Sequence, residues 1–153
     1  MKLLDLLSKE TIIPNLKATT KNEVIEELVD KLMKSGKIKN KQEVLEAILE
    51  REKIMSTGIG NGIAIPHGMT DAVDEILAVF GRSAKGIDFE ALDDKPAYLF
   101  FLLVNPKDMS GPHVKVLAKI SRLLKHDYFR EALLRADTAE KILEIIEEEE
   151  RKY

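Results

Sequence analysis

Apolar residues recur every three or four positions in two segments near the start of the chain, and this spacing predicts two amphipathic helices. The first should begin at Thr20, with Glu23 completing a capping box, and should end at Gly36. The second should begin at Asn40, with Glu43 in the same role. The two apolar stripes comprise Val24, Ile25, Leu28, Val29, Leu32 and Met33, and Val44, Leu45, Ile48 and Leu49.

The middle of the chain changes to short apolar runs bounded by glycine, proline or polar residues, and these runs predict three β-strands. We expect them at residues 62–65, 76–81 and 97–104. The third run is almost continuously apolar, which is typical of a strand covered on both faces. Asn105 and Pro106 mark its end.

Helical spacing returns after the third strand. One helix should start around residues 110–112, a short one should follow Asp127, and a last one should begin with a capping box of Asp137 and Glu140. The acidic run at 147–150 predicts a solvated helix end or a fraying tail. The order of helices, strands and helices predicts an α/β fold, with a mixed β-sheet covered by helices on both faces. It leaves the spatial order of the strands open.

Length and composition indicate one ordinary domain over residues 1–153. The 24 basic and 27 acidic residues give a formal net charge of −3, and the cations are dispersed among acids. No basic patch therefore favours nucleic acid. The absence of tryptophan and an aromatic content of 5% also argue against a surface that stacks bases.

The chain has no cysteine, which excludes disulfides and thiolate metal sites and is compatible with the reducing cytoplasm, where we expect the protein. Its longest apolar run, residues 98–104, is much shorter than the about 20 residues that a membrane helix needs. The N-terminal segment lacks the apolar stretch of a signal peptide. We therefore expect no insertion into a membrane.

The segment after the second helix carries the candidate chemistry. Residues 51–67 read REKIMSTGIGNGIAIPH, with glycines at 58, 60 and 62 that permit a tight turn. Pro66 cannot donate to a sheet ladder, so the strand should stop there and present His67 in a loop. A rigidly held, accessible imidazole is typical of a reactive histidine, although a single histidine more often has a structural role.

This segment resembles the active-site segment of the enzyme IIA domains of the bacterial phosphoenolpyruvate-dependent sugar phosphotransferase system (PTS), in its fructose/mannitol/nitrogen-type branch. The matching pattern is R-E, then S-T-G-I-G, then G-I-A-I-P-H, from Arg51 to His67. The resemblance continues through residues 81–103 and the helix near His113, and it covers about residues 4–146. It implies a three-layer α/β/α fold.

The resemblance also implies a phosphoryl relay that needs no cofactor. Phosphorylated HPr would deliver the phosphoryl group to Nε2 of His67, the phosphorylated nucleophile. Enzyme IIB would then take the group, for sugar uptake by a membrane enzyme IIC on another chain. The motifs look more like the fructose-type branch, although they do not name the sugar. The alternative is a nitrogen-type regulator, in which phosphorylation of the same histidine is a signal to partner proteins. A metal-dependent hydrolase that uses two histidines is a third candidate.

His113 is the second candidate site residue. Pro112 suits the first position of a helix and Ser110 or Gly111 suits its cap, so His113 should lie among the unpaired N–H groups of the helix start. The positive end of the helix dipole should keep the imidazole neutral and able to donate to a phosphate. In the resembled family a histidine at this point is the second active-site histidine, commonly preceded by an acidic residue instead of proline. The alternative is a surface histidine.

Arg51 is the third candidate. Its planar guanidinium matches phosphate oxygens and would lower the pKa of a nearby histidine. The family places an arginine here, whereas the residue alone is better explained as an exposed arginine at a helix end. The Thr57 hydroxyl and the Gly58 amide are weaker candidates for binding phosphate. We expect His126 to be a structural or a surface residue.

Rival motifs fail on spacing. The glycines at 58, 60 and 62 do not form a dinucleotide-binding pattern, no P-loop lysine follows, and there is no H-E-x-x-H, so we expect no metal. Met55, Ile59 and Met69 are candidates for an apolar rim around His67 on which partner proteins dock, and equally for the core.

Overall fold

A six-stranded mixed sheet forms the middle layer of the structure, a computed structural model that describes residues 2–153. The strands are β1 (Ile12–Ile13), β2 (Gly58–Gly60), β3 (Ile63–Ala64), β4 (His67–Met69), β5 (Leu77–Ile87) and β6 (Ala97–Asn105). Their spatial order is β1-β5-β6-β3-β2, and β4 also pairs with β6. Only β5 and β6 are long, and they pair antiparallel at the centre of the sheet.

Helices cover both faces of this sheet. The helices are α1 (Lys21–Met33), α2 (Lys41–Ile54), α3 (Ser110–Leu123), α4 (Asp127–Arg135) and α5 (Ala139–Glu150). One apolar core lies between the sheet and α1–α2, and a second lies between the sheet and α3–α5. The predicted three-layer α/β/α fold is confirmed. Within residues 2–153, no helix is both long and apolar enough to cross a bilayer.

Strand β6 explains the almost continuous apolar run. Leu99, Phe101 and Leu103 belong to the core on the α3–α5 side. The alternate residues, Phe100, Leu102 and Val104, belong to the core on the α1–α2 side. Because successive side chains of a strand point to opposite faces, a strand with helices on both sides must be apolar at every position.

Side chains cap α1 and α2 where the sequence places capping residues. Thr20 accepts from the N–H of Glu23 at the start of α1, and Asn40 accepts from Glu43 at the start of α2. Gly36 follows α1 with φ of 76°, a left-handed value that glycine tolerates. The predicted capping box of Asp137 is wrong, because Thr138 is the N-cap of α5.

The acidic run at the end of α5 is not simply solvated, contrary to the prediction. Glu149 is buried and accepts a hydrogen bond of 2.6 Å from the Tyr128 hydroxyl. Glu150 accepts from the backbone N–H groups of Leu3 (2.7 Å) and Leu4 (3.0 Å). These two carboxylates therefore attach the N-terminal segment and α4 to the last helix.

Strands β3 and β4 form one parallel run beside β6 with a break at Pro66. Ile63 pairs with Leu99 and His67 pairs with Leu103, so the register is the same on both sides of the break. The Pro66 carbonyl accepts from the N–H of Leu103 and keeps the two segments aligned. The strand stops before Pro66, as predicted, but the expectation that His67 lies in a loop is wrong, because His67 begins β4.

Gly68 brings helix α2 unusually close to the sheet beside His67. A Cβ atom on Gly68 would lie 3.1 Å from the backbone carbon of Ala47 and 3.1 Å from the backbone nitrogen of Ile48. A Cβ atom at this distance would require the α2 backbone to shift by a few tenths of an ångström, so glycine suits this approach of β4 to α2. The contact places the last turn of α2, which carries Arg51, next to the strand that carries His67.

We predict that Gly68→Ala lowers the free energy of unfolding by about 1–3 kcal/mol, because the added methyl group forces α2 away from β4. Gly111→Ala is the matched control, since a Cβ atom there meets nothing within 4 Å and alanine favours a helix. Urea denaturation of both variants measures the difference. Equal midpoints for the two variants would contradict the close approach.

Candidate functional site

His67 lies half-buried at the start of β4, with its ring held by a backbone group two residues earlier. Its Nδ1 atom is 2.9 Å from the carbonyl oxygen of Ile65. Because a carbonyl oxygen can only accept, Nδ1 must carry the proton in this contact. In the neutral ring the other nitrogen, Nε2, is then unprotonated and has its lone pair available as a nucleophile.

The surroundings keep this imidazole in its neutral form. Burial is the main cause that lowers the pKa of His67, and the positive charge of Arg51 lowers it further. The hydrogen bond to Ile65 and the negative charge of Glu52 act in the opposite direction without reversing the shift. At neutral pH His67 is therefore neutral, with its proton on Nδ1 and an unprotonated Nε2 that could act as a nucleophile.

His113 lies directly against His67. The centroids of the two rings are 5.3 Å apart and the rings are tilted by 53°. His113 is only 5% exposed, and burial lowers its pKa from 6.5 to about 4, with a smaller contribution from the charge of His67. Two protonated imidazoles at this distance would repel each other, so both rings are neutral in the resting protein.

Helix α3 begins at Ser110, within the predicted range of 110–112, but the predicted roles of the residues at its start are wrong. A 3₁₀ turn, Lys107–Met109, precedes α3, and Ser110 is already its first residue. Pro112 is therefore the third helical residue and not the first, and His113 is the fourth. His113 thus lies beyond the unpaired N–H groups of the helix start. Its imidazole is neutral, as expected, and burial is the main cause.

Arg51 lies in the last turn of α2, and its positive charge acts on His67. Its Nη1 atom donates to the backbone oxygen of Met55 at 2.9 Å. This contact satisfies a carbonyl at the end of the helix, which is the structural role that the residue alone suggests. The guanidinium has five N–H donors, so the contact leaves others available to an anion beside His67.

Thr57 and Gly58 face the protein rather than an open site. The N–H and the hydroxyl of Thr57 donate to the two carboxylate oxygens of Glu52, at 2.8 and 2.5 Å. The N–H of Gly58 donates to the hydroxyl of Ser56 at 3.0 Å. In this state neither residue offers the free donor that the sequence suggested.

Glu52 belongs to this region, although the sequence did not predict it as a site residue. It is buried, receives both Thr57 donors, and pairs with Lys21 of α1 at 2.9 Å. The carbonyl of Thr57 accepts from the N–H of Ile65, whose own carbonyl accepts from His67. A continuous series of hydrogen bonds therefore connects a buried carboxylate on α2 to Nδ1 of His67. The glutamate beside Arg51 in the R-E pair was the available signal.

The remaining candidate residues lie on the surface or away from the histidine pair. Met55, Ile59 and Met69 are 61%, 40% and 43% exposed, so they belong to the surface and not to the core. His126 contacts the hydroxyl of Tyr153 at 2.8 Å and takes no part in the pair formed by the other two histidines. Within the described part of the chain, His, Asp and Glu side chains do not come together in a group of three that could ligate a metal.

Comparison with known families identifies the family of the chain. The sequence model of the family described as "Phosphoenolpyruvate-dependent sugar phosphotransferase system, EIIA 2" matches residues 5–149. The chain belongs to this family. The EIIA match includes all of the segment that carries Arg51, His67 and His113.

Individual relatives of this EIIA chain carry two kinds of name. A fructose-specific EIIABC component of Bacillus subtilis is 41% identical over 151 residues, covering 99% of this chain but only 24% of that protein. The chain thus spans about a quarter of that relative. A fructose-specific EIIA component of Haloferax volcanii is 42% identical over 129 residues, or 84% of each chain. A nitrogen regulatory protein of Bradyrhizobium diazoefficiens is 36% identical over 147 residues, or 95% of each chain.

Solved EIIA structures have the same fold. The nitrogen regulatory protein IIA-Ntr of Neisseria meningitidis superposes with a TM-score of 0.87 at 30% identity, covering 94% of this chain and 98% of that one. Enzyme IIA for mannitol from Escherichia coli, solved in a complex with phosphorylated enzyme IIB, superposes with a TM-score of 0.79 at 28% identity, covering 93% and 97%.

We predict that acidification between pH 6.5 and about 4 destabilises the protein through His113. In that window the unfolded chain binds a proton that the folded chain does not, so stability is complete above pH 6.5 and falls as the pH drops. At about 1.4 kcal/mol per pKa unit, the loss reaches up to about 3 kcal/mol.

Denaturant unfolding at a series of pH values measures this loss, and His113→Gln should flatten the profile. His126→Gln is the matched control and should retain the wild-type profile. A His113→Gln protein whose stability varies with pH as steeply as the wild type would contradict the assignment.

Proposed function

We propose that this chain relays a phosphoryl group: it accepts the group from phosphorylated HPr on Nε2 of His67 and passes it to enzyme IIB. The observation that carries the proposal is the hydrogen bond from Nδ1 to the Ile65 carbonyl, because it leaves Nε2 as the nucleophilic nitrogen. The lowered pKa of the ring supports the same role. The family match supplies the class of reaction.

Each transfer forms one bond to phosphorus and breaks another. In the first, the Nε2 lone pair of His67 attacks phosphorus while the bond to the HPr carrier breaks, and that electron pair returns to the carrier. Nδ1 keeps its proton throughout, so the phosphorylated ring carries a positive charge that the Ile65 carbonyl stabilises. A positively charged ring is a good leaving group, which suits the onward transfer to enzyme IIB.

His113 and Arg51 stabilise the oxygens of the transferring group in this proposal. His113 lies 5.3 Å from His67 between ring centroids and can donate one hydrogen bond from its neutral ring. Arg51 supplies a permanent positive charge and the N–H groups that Met55 does not use. Phosphoryl transfer requires little more than such positioning and charge stabilisation. Thr57 acts indirectly, by holding the turn beside the site.

Partner proteins would dock on the apolar rim formed by Met55, Ile59 and Met69. Their exposure suits transient contact with more than one protein, and methionine adapts to differently shaped surfaces. We place the relay in the cytoplasm as a single domain over residues 1–153, with sugar uptake carried out by an enzyme IIC on another chain. The fructose-specific relatives favour a fructose-like sugar.

We predict that the protein gains one acid-labile phosphate when it is incubated with phosphoenolpyruvate, enzyme I and HPr. His67→Ala should gain none, since it lacks the nucleophile, whereas the matched control His126→Gln should react like the wild type. Intact-mass spectrometry before and after acid treatment measures the modification. A phosphorylated His67→Ala protein would rule out the assigned nucleophile.

We predict that Arg51→Ala slows phosphate acceptance by about tenfold or more, because the transferring oxygens lose a charged partner. Arg51→Lys should recover part of the rate, since lysine keeps the charge without the planar fork. Lys53→Ala is the matched control, being an exposed cation of the same helix end. Quenched-flow measurement with phosphorylated HPr gives the rates. A rate for Arg51→Ala within twofold of the wild type would remove Arg51 from the mechanism.

A regulatory role is the second candidate function, and the nitrogen regulatory relatives favour it. The site chemistry is the same in both cases, so the fate of the phosphate distinguishes them. Transfer to fructose in the presence of fructose-type enzymes IIB and IIC supports the relay. A stable phosphoprotein that no enzyme IIB discharges, and that binds a partner only in one phosphorylation state, supports the regulator.

A further inference from the structure

Two buried side-chain atoms have no hydrogen-bond partner within residues 2–153. One is Nδ1 of His113 and the other is Oδ1 of Asn105. Asn105 is fully buried at the end of β6, and His113 is 5% exposed. Buried polar atoms without a partner are rare because burial removes their hydration. An orphaned atom on the second histidine of the site therefore needs a physical explanation.

The contacts of Nδ2 determine the orientation of the Asn105 side-chain amide. Nδ2 donates to the carbonyl of Pro106 at 2.8 Å and is 3.5 Å from the carbonyl of Met109. Carbonyl oxygens accept and do not donate, so the NH₂ group must face them. Oδ1 consequently points away from these carbonyls, as an acceptor with nothing to accept.

Asn105 and His113 lie in the same layer of the structure. Asn105 follows Leu103 by two residues in β6, so both side chains point to the face covered by α3. His113 shares the buried stripe of α3 with Val116 and Ile120. In an α-helix the N–H of His113 donates to the carbonyl of Met109, the same group that Nδ2 of Asn105 approaches.

We infer that Asn105 is a positioning residue for His113: its Oδ1 accepts the Nδ1–H of His113, directly or through one water, when that ring binds a second proton beside a phosphorylated His67. The inference rests on the proposed relay. A proton from solvent is added to His113, and no other covalent bond changes.

The phosphoryl group supplies the reason for this protonation. A phosphoryl group on His67 places negative charge beside His113, and an opposite charge favours the imidazolium that burial otherwise disfavours. The doubly protonated ring has two N–H donors, of which one can face the phosphoryl oxygens and the other needs an acceptor. Of the charged groups around the histidine pair, Arg51 opposes protonation of His67 and Glu52 favours it. Asp108 and Lys115, which are near His113 in the sequence, are exposed.

The test is a ¹⁵N NMR titration that measures the pKa of the His113 ring in the unphosphorylated protein. Two variants of Asn105 should shift this pKa in opposite directions. Asn105→Leu removes the acceptor and should lower the pKa of His113 by about one unit. Asn105→Asp keeps an acceptor, adds a negative charge, and should raise that pKa. The titration of His67 is the internal control and should change less. Amide spectra show whether each variant is folded.

A His113 pKa that does not respond to either substitution, or that moves in the same direction in both folded variants, would overturn the inference. This outcome is distinct from a failure of the relay. If the wild type accepts no phosphate while the two shifts have opposite signs, the relay is wrong and the contact between Asn105 and His113 remains. If phosphate is accepted and the shifts are absent, the relay remains and the contact is wrong.

Discussion

The hydrogen bond from Nδ1 of His67 to the carbonyl of Ile65 is the interaction on which the rest of the site depends. It determines which ring nitrogen keeps its proton and which is free to react. The carbonyl is available because Ile65 precedes a proline: the pairing with β6 breaks there and resumes at His67 in the same register. On the other side, the N–H of Ile65 donates to Thr57, whose own donors are held by Glu52. The Ile65 carbonyl that fixes the tautomer of His67 is thus held in place through Thr57 by Glu52 of α2.

Burial provides the second condition, a pair of neutral imidazoles. Helix α3 places His113 against His67 from one side of the sheet, and the close approach of α2 at Gly68 places Arg51 on the other. Desolvation lowers the pKa of both histidines, so the only permanent positive charge among these three groups is that of Arg51. In the scheme we propose, the N–H donors of Arg51 and of the neutral His113 ring surround the phosphoryl oxygens. The scheme includes no metal.

The sequence predicted the parts of the fold whose signals are local. Helix starts at Thr20 and Asn40 were found because a side chain marks each of them. The two- and three-residue strands β1, β2 and β4 were missed because so few residues cannot show a period, and pairing with a neighbour is what makes them strands. The family resemblance supplied His67 and His113, but the 3₁₀ turn Lys107–Met109 before α3 was missed because no residue type marks it. Glu52 and Asn105 were missed because their importance comes from burial and from partners distant in sequence.

The most direct test of this account is the protonation and phosphorylation of the His67 ring, read from long-range ¹H–¹⁵N and ³¹P–¹⁵N correlation spectra. The account predicts a proton on Nδ1 in the resting protein and phosphorus on Nε2 after reaction with phosphorylated HPr, with the Nδ1 proton retained. A resting ring with its proton on Nε2, or a phosphoryl group attached to Nδ1, would contradict the role assigned to the Ile65 carbonyl and, with it, the central claim.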